Sequence, residues 1–184
     1  MAKMQTPPAA WIEAGLRALG KGGPEAVRVE VLARSLGVTK GSFYWSFEDR
    51  PALMEAILDR WEAGTVEEVM SRVEAEGEGP SAKLRLLFSV ARGEDLRDLV
   101  RAELAIRNWA RHEESVRKRL RRVDGRRMDY MRALFAAAGA EEAVAEARSL
   151  IVFSLFVGSP FVAVEHPGMS RAEVIDAALE DLLR

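Results

Sequence analysis

The stretch Leu32–Leu53 reads LARSLGVTKGSFYWSFEDRPAL, and it decides the fold of the region around it. Its first part and the residues just before it place apolar side chains at helical spacing, which predicts a short helix with one apolar face: Val29, Leu32, Ala33 and Leu36. Gly37 can then end this helix in the left-handed conformation. Thr39 can cap a second helix, on which Phe43 and Phe47 lie four residues apart and point at the first helix. The pattern predicts a helix-turn-helix.

The outer side of the second helix carries small, polar and aromatic residues instead of the long charged side chains that usually cover a surface helix. Gly41, Ser42 and Trp45 lie on that side, flanked by Tyr44 and Lys40. A glycine inside a helix costs about 1 kcal/mol relative to alanine, and close approach of a phosphate backbone would explain it. Tyr44 and Lys40 can bind phosphates, whereas Ser42 and Trp45 can reach base edges. The alternative is that the two aromatic residues pack on a neighbouring helix.

The stretch resembles the DNA-binding domain of the TetR family of bacterial transcription regulators. The matching positions are Leu32-Ala33, Gly37-Val38-Thr39, Gly41-Ser42-Phe43-Tyr44, Phe47, Asp49-Arg50 and Leu53. Three positions depart from the family pattern. Ser46 replaces an aromatic residue, and Arg50 replaces a lysine. Asp49 replaces a serine and, like serine, can cap a helix. Trp45 stands where the family often has histidine. The resemblance implies that the chain binds double-stranded DNA through Arg28, Thr39, Lys40, Gly41, Ser42, Tyr44, Trp45 and Arg50.

The net charge of −2 alone argues against a general nucleic-acid binder, but the distribution of charge suits site-specific binding. The chain has no cysteine, which fits a reducing compartment. Met1–Ala10 reads as an arm and lacks the apolar core of a signal peptide, and the apolar run Leu150–Val157 is too short to span a bilayer. Residues 1–50 carry seven basic and five acidic side chains, a net charge of +2, which leaves −4 for the rest of the chain. We therefore expect a cytoplasmic protein, without a membrane partner, whose binding to DNA is site-specific.

The rest of the chain reads as helices. A long helix runs from Asp49 towards Glu76, with Gly64 as a soft point or, in the interpretation that we favour, a packing accommodation. A later helix, from about residue 115 to 138, is rich in arginine. We expect its basic side chains to form salt bridges with nearby acids rather than a second nucleic-acid site. From Glu141 to about Val157 the next helix becomes apolar on every side, and Ser170 with Glu173 forms the capping box of a last helix. We expect these last two helices, within about residues 141–184, to form a four-helix homodimer interface; the alternative is that they close a monomeric core.

The predicted fold is all-α, with an N-terminal three-helix helix-turn-helix DNA-binding domain, residues 1–50, followed by a helical ligand-binding and dimerisation domain, residues 51–184. The resemblance implies a transcriptional regulator and repressor that leaves a pseudo-palindromic operator when it binds a small apolar or amphipathic effector. By analogy, the effector pocket would be lined by Trp61, Phe88, Arg107, Trp109, Met128, Tyr130, Met131 and Phe153, although each of these residues is commoner as plain core.

The sequence offers no catalytic constellation, since His112 and His166 lie in different segments without metal-ligand spacing and there is no phosphate-binding loop. We therefore predict no enzyme, no metal and no cofactor. Three alternatives stay open: a helical interaction module, a ligand-independent regulator or activator, and a small-molecule enzyme built on a helical bundle.

Overall fold

The computed structural model describes residues 6–91 and 93–183, and every regular element in them is helical. This confirms the predicted all-α fold. The α-helices are α1 Pro8–Gly22, α2 Val29–Ser35, α3 Arg50–Glu62, α4 Glu68–Glu76, α5 Pro80–Ala91, α6 Arg97–Trp109, α7 Glu114–Ala137, α8 Glu142–Gly158 and α9 Arg171–Leu182. A π-helical segment, Ala63–Glu67, joins α3 to α4, and short 3₁₀ segments lie at Pro24–Ala26, Lys40–Trp45, Glu94–Leu96 and Ser159–Phe161. Residues 1–5 of the predicted arm lie outside the described residues.

The second helix of the predicted helix-turn-helix is a 3₁₀ segment, Lys40–Trp45, and not an α-helix. We call it the reading segment. Its glycine, serine and aromatic residues have weak helix propensity, and the Ser42 hydroxyl donates to the Thr39 carbonyl at 2.7 Å. The prediction of a helix at this place was correct in position and wrong in type.

Several predicted helix ends are confirmed by their hydrogen bonds. Gly37 has φ +69°, and the Val38 amide donates to the Ala33 carbonyl, which closes α2 as expected. Asp49 caps α3 by accepting from the Ala52 amide at 2.8 Å. Ser170 and Glu173 form the predicted capping box of α9.

The chain divides into two compact units, which do not coincide with the predicted domains 1–50 and 51–184. The first unit comprises the chain up to Val69 together with Ala91–Val123. In it α1 packs against α3 and α6. The largest side chains buried there include Trp11, Phe43, Ile57, Trp61 and Ile106. The functional division at residue 50 stays a prediction.

Two glycines of α1 explain why α3 and α6 can approach this helix closely. A Cβ at Gly15 would collide with the Ile57 side chain of α3, and a Cβ at Gly20 would lie 3.1 Å from the Ala102 amide nitrogen of α6. Gly64 of the π segment is constrained in the same way, because its Cβ would lie 2.6 Å from Leu99 Cδ1. The packing interpretation of Gly64 therefore holds, although the helix also changes to π geometry there.

The arginine-rich helix α7 is paired with acids in its first half, as expected. Arg119 contacts Glu55 at 2.9 Å and also Asp59, and Arg122 contacts Glu62 at 2.7 Å. These contacts lie within the first unit and support the salt-bridged interpretation of the basic run.

The second unit comprises Met70–Val90 and the chain from Asp124 onwards. Its core contains Leu84 and Phe88 of α5, Met131, Leu134 and Phe135 of α7, Ala145 and Val152 of α8, and Leu179 of α9. Gly139, with φ +97°, ends α7, and the Ala140 amide donates to the Phe135 carbonyl.

The outward surface of α8 and of the segment after it is apolar. The exposed large apolar residues there are Val144, Leu150, Ile151, Phe161, Val162, Val164 and Met169. In a single chain the apolar second half of α8 is therefore not buried on every side, and its predicted burial in a homodimer stays a prediction. By length and composition alone, Glu142–Phe161 could also cross a membrane, which the shorter apolar run seen in the sequence did not indicate.

Candidate nucleic-acid interface

The reading segment is anchored by one buried aromatic side chain. Phe43 is completely buried; its ring packs edge-on against Trp11 of α1, with centroids 5.3 Å apart, and stacks on the half-buried Phe47 at 5.6 Å. Trp11 was not identified from the sequence. The sequence did contain an indication that Trp11 is buried, since Trp11, Gly15 and Leu19 follow one another at four-residue spacing along the buried side of α1.

The two residues after Phe43 face solvent. Tyr44 is 57% exposed and Trp45 is 78% exposed. Large apolar side chains at such exposure are typical of a surface that binds a partner. The alternative that both aromatic residues pack inside the chain is therefore not supported by the structure.

Packing within the described part of the chain does not require a glycine at position 41. Gly41 is exposed and lacks a positive φ, and the nearest atom to an added Cβ is Thr39 Oγ1 at 3.9 Å. This contrasts with Gly15 and Gly64, whose neighbours leave no space for a side chain. The interpretation that Gly41 admits a phosphate backbone stays a prediction.

Thr39 precedes the reading segment at its N-cap position, and its side chain is exposed. Its predicted capping hydrogen bond does not form among the described residues, because the 3₁₀ geometry directs the Ser42 amide and hydroxyl to the Thr39 carbonyl instead. The Thr39 hydroxyl therefore stays at the surface beside Lys40, and the half-buried Ser42 lies one turn further on.

Lys40 is paired with an acid that the sequence pattern did not connect to it. Its Nζ donates to Glu30 Oε1 of α2 at 2.6 Å, and both side chains are more than half exposed. The hydrogen bond and charge of Lys40 lower the pKa of Glu30, and those of Glu30 raise the pKa of Lys40. Both groups are therefore held in their charged forms at neutral pH.

The two predicted arginines differ in their surroundings. Arg28 precedes α2 with an exposed side chain and, as expected, makes no capping bond among the described residues. Arg50 is half-buried, and its guanidinium donates to the carbonyls of Val27 at 2.7 Å and Pro24 at 2.5 Å. Arg50 therefore fixes the segment before α2 to the start of α3, a role that the resemblance did not indicate.

Three of the eight predicted pocket residues lie in the first unit. Trp61 is completely buried, and its Nε1 donates to Glu103 Oε2 at 3.3 Å. Arg107 donates to the same carboxylate, with its Nη2 2.7 Å from Glu103 Oε1, and Trp109 is half-buried. Glu103, only 3% exposed, is thus the centre of a buried polar network that was not predicted. A carboxylate in the middle of an apolar helix face was the signal for it.

The other five predicted pocket residues lie in the second unit. Phe88 and Met131 belong to its core, and Met128, Tyr130 and Phe153 pack against that core. The Tyr130 hydroxyl donates to Glu74 Oε1 at 2.7 Å, and burial together with this bond raises the pKa of Tyr130. The structure therefore distributes the predicted pocket residues over two units.

The second unit contains a cavity of about 280 Å³ whose lining differs from the predicted pocket. It is lined by Phe135, Ala138, Gly139, Ala140, Glu141, Val144, Arg148 and Leu183. Within the described ranges, no three His, Asp or Glu side chains are placed to hold a metal ion together.

Sequence comparison gives a family match for the part of the chain that contains the reading segment. Residues 12–57 match the family model described as bacterial regulatory proteins, tetR family. The match contains α2, the reading segment and the buried anchor Phe43. No curated protein matches the chain by sequence.

Structural comparison extends the likeness over nearly the whole chain. A putative transcriptional regulator from Pseudomonas aeruginosa PAO1 superposes with a TM-score of 0.73 at 17% identity, over 96% of this chain and 88% of that one. The TetR family transcriptional regulator PfmR from Thermus thermophilus gives 0.69 at 20% identity, over 95% and 97%. AibR, solved in complex with isovaleryl coenzyme A and operator DNA, gives 0.70 at 16% identity, over 96% and 97%.

At these identities the structural likeness establishes the fold, and the sequence match to the family covers the helix-turn-helix region, residues 12–57. TetR-family regulators are DNA-binding transcription factors and not enzymes. Residues 12–57 of the chain therefore match the DNA-binding region of the TetR family of bacterial transcriptional regulators, and the chain as a whole has the fold of TetR-family regulators.

Proposed function

We propose that the protein is a repressor that binds a pseudo-palindromic operator as a homodimer. The observation that carries the proposal is the outward surface of the reading segment, where Tyr44 and Trp45 are exposed beside an exposed glycine while Phe43 anchors the segment from within. Two such segments in a dimer would enter successive major grooves about 34–36 Å apart, the spacing usual for helix-turn-helix dimers.

We assign the contacts by side-chain chemistry. Thr39, Lys40, Tyr44 and Arg28 bind phosphates, because their hydroxyls and cations are exposed around the segment. Ser42 and Trp45 contact base edges and thymine methyl groups. Gly41 lets the phosphate backbone come close. Arg50, originally expected to bind phosphate, supports this surface from behind through its bonds to Pro24 and Val27.

Selection of bound duplexes from a random pool, at a stated salt concentration, tests the proposal. We expect enrichment of an inverted repeat whose half-sites are about one helical turn apart. Recovery of a pool without a common sequence, at salt where non-specific binding is suppressed, would contradict it and would favour the alternative of a helical interaction module.

The homodimer rests on the apolar surface of α8 and the segment that follows. Leu150 and Ile151 are more than half exposed, as are Phe161 and Val162. Several large apolar side chains exposed within one short stretch of the chain are typical of an interface with protein or lipid. Glu146 and Arg148 lie within the same helix and are poorly suited to a bilayer, so we favour a second copy of the chain and a cytoplasmic location without a membrane partner.

We further propose that a small apolar or amphipathic effector releases the protein from DNA. The support is the fold shared with AibR, which was solved with isovaleryl coenzyme A and operator DNA. Release requires that the effector bind a conformation with poor operator affinity more tightly than the DNA-bound one. A panel of acyl-coenzyme A thioesters and free fatty acids, added to the protein on its selected duplex, tests this. Release by one member supports the effector model, whereas retention with the whole panel favours a ligand-independent regulator or an activator.

A further inference from the structure

The ion pair between Glu30 and Lys40 places a carboxylate inside the candidate nucleic-acid interface. The two side chains come from different elements, α2 and the reading segment, and meet at 2.6 Å. Both are largely exposed, so the pair is open to solvent and to DNA. Wherever Lys40 binds a phosphate, the Glu30 carboxylate is therefore only a few ångströms away.

In this arrangement the Glu30 carboxylate and a DNA phosphate compete for Lys40. In the free protein Lys40 forms an ion pair with Glu30. To bind a phosphate, Lys40 has to break this ion pair or contact both anions at once. Exposed ion pairs contribute little to stability, so the exchange is easy. The charge of Glu30 nevertheless remains and repels the phosphate backbone.

We propose that Glu30 is a restraining residue of the DNA-binding surface, which holds Lys40 in the free protein and weakens binding to every duplex by a similar factor. The uniform effect follows because phosphate contacts carry no direct sequence information. Such a residue would limit retention on non-specific DNA, where most of the binding free energy comes from phosphate contacts. The inference rests on the proposed DNA-binding function and adds a regulating residue to it.

Glu30→Gln keeps the shape of the side chain and removes its charge. We expect it to raise the affinity for a duplex selected by the wild-type protein, and for a duplex of unrelated sequence, by a similar factor, on the order of fivefold at 100 mM salt. We also expect the plot of log affinity against log salt to become steeper by up to about 0.9, the value for one additional phosphate contact. Fluorescence anisotropy over a series of salt concentrations measures both quantities.

Two controls make the experiment specific. Glu25→Gln removes an equally exposed acid from the turn before α2 and reports the effect of net charge alone. The double variant Glu30→Gln with Lys40→Met, compared with Lys40→Met alone, tests the pair, since without Lys40 the gain from Glu30→Gln should shrink to the part that comes from the repulsion between Glu30 and phosphate.

The outcomes are distinguishable. If the wild-type protein binds no duplex, the proposed function itself fails. If it binds but Glu30→Gln is neutral, or no better than Glu25→Gln, the restraining role is wrong. If Glu30→Gln weakens binding to the selected duplex alone, Glu30 reads a base, which also overturns the inference.

Discussion

Glu103 is a carboxylate that is only 3% exposed and is held by Trp61 of α3 and Arg107 of α6. Replacing it by alanine would remove this partner from the buried Trp61 indole and from the partly exposed Arg107 cation. We expect Glu103→Ala to lower the free energy of unfolding by about 3–5 kcal/mol, as is typical when one member of a buried charged pair is removed. Denaturation by urea measures this, with the exposed Glu165→Ala as the control that should change stability by less than about 0.5 kcal/mol. Equal stabilities for the two variants would show that the network does not hold α6 to α3.

Individual residues of the surface were predictable where local spacing decided their position. The inward orientation of Phe43 followed from helical spacing, and the capping role of Asp49 from its match to the cap position of the family pattern. The partners of Lys40 and Arg50 were not predictable in this way. Glu30 and Val27 lie 10 and 23 residues away along the chain, so these contacts exist only after the helices have packed.

At the scale of elements, the close packing of α1 against α3 depends on Gly15, whereas Gly41 of the reading segment has a different role. We expect Gly15→Ala to destabilise the protein by about 1–3 kcal/mol, because its methyl group would collide with Ile57 at the crossing of α1 and α3. Thermal or urea unfolding measures the effect. A variant as stable as the wild type would mean that the two helices separate without cost.

Gly41→Ala is the matched substitution on the reading segment, and we expect the opposite pattern. The methyl group meets ordinary space and the backbone suits alanine, so stability should stay the same or rise by up to about 1 kcal/mol. Binding to the selected duplex should weaken, because the methyl group would occupy space needed by the phosphate backbone. Unchanged affinity would remove the proposed reason for this glycine.

The helices themselves were predictable from apolar periodicity and from Gly37 and Gly139, which both adopt the expected left-handed conformation. The type of helix was harder to predict. The 3₁₀ geometry of Lys40–Trp45 and the π geometry of Ala63–Glu67 depend on local hydrogen bonds and on packing, such as Leu99 against Gly64. A pattern with a period of 3.6 residues cannot distinguish these short variants.

At the scale of the whole molecule, the apolar surface of α8 determines our expectation for the assembly. We expect the wild-type protein to sediment as a dimer, and the double variant Leu150→Glu with Ile151→Glu to sediment as a monomer. Both residues are more than half exposed in a single chain, so the new charges should disturb the fold little and an interface strongly. Analytical ultracentrifugation measures this, with Ala136→Glu on the exposed side of α7 as the control. A dimer that persists in the double variant would place the interface elsewhere.

The apolar pattern of α8 led to the prediction of a dimer interface, which the structure of a single chain does not test. A helix that is apolar all round was expected to be buried all round, yet burial by a second copy cannot be seen in one copy. The predicted effector pocket stays a prediction. Aromatic and methionine residues such as Trp61 and Met131 have the same pattern in a packed core as in a ligand site, and both are core residues here.

The most direct test of the central claim is the affinity of Trp45→Ala for the selected duplex, measured by fluorescence anisotropy at 100 mM salt beside Lys40→Ala and the charge-matched control Lys21→Ala. Trp45 is 78% exposed and Lys21 lies in the last turn of α1, away from the reading segment, so all three variants should unfold like the wild type. The account predicts that Trp45→Ala and Lys40→Ala each lose at least about tenfold in affinity, a loss of about 1.4 kcal/mol, whereas Lys21→Ala stays close to the wild type. Wild-type affinity for both Trp45→Ala and Lys40→Ala would show that the outer side of the reading segment does not bind DNA.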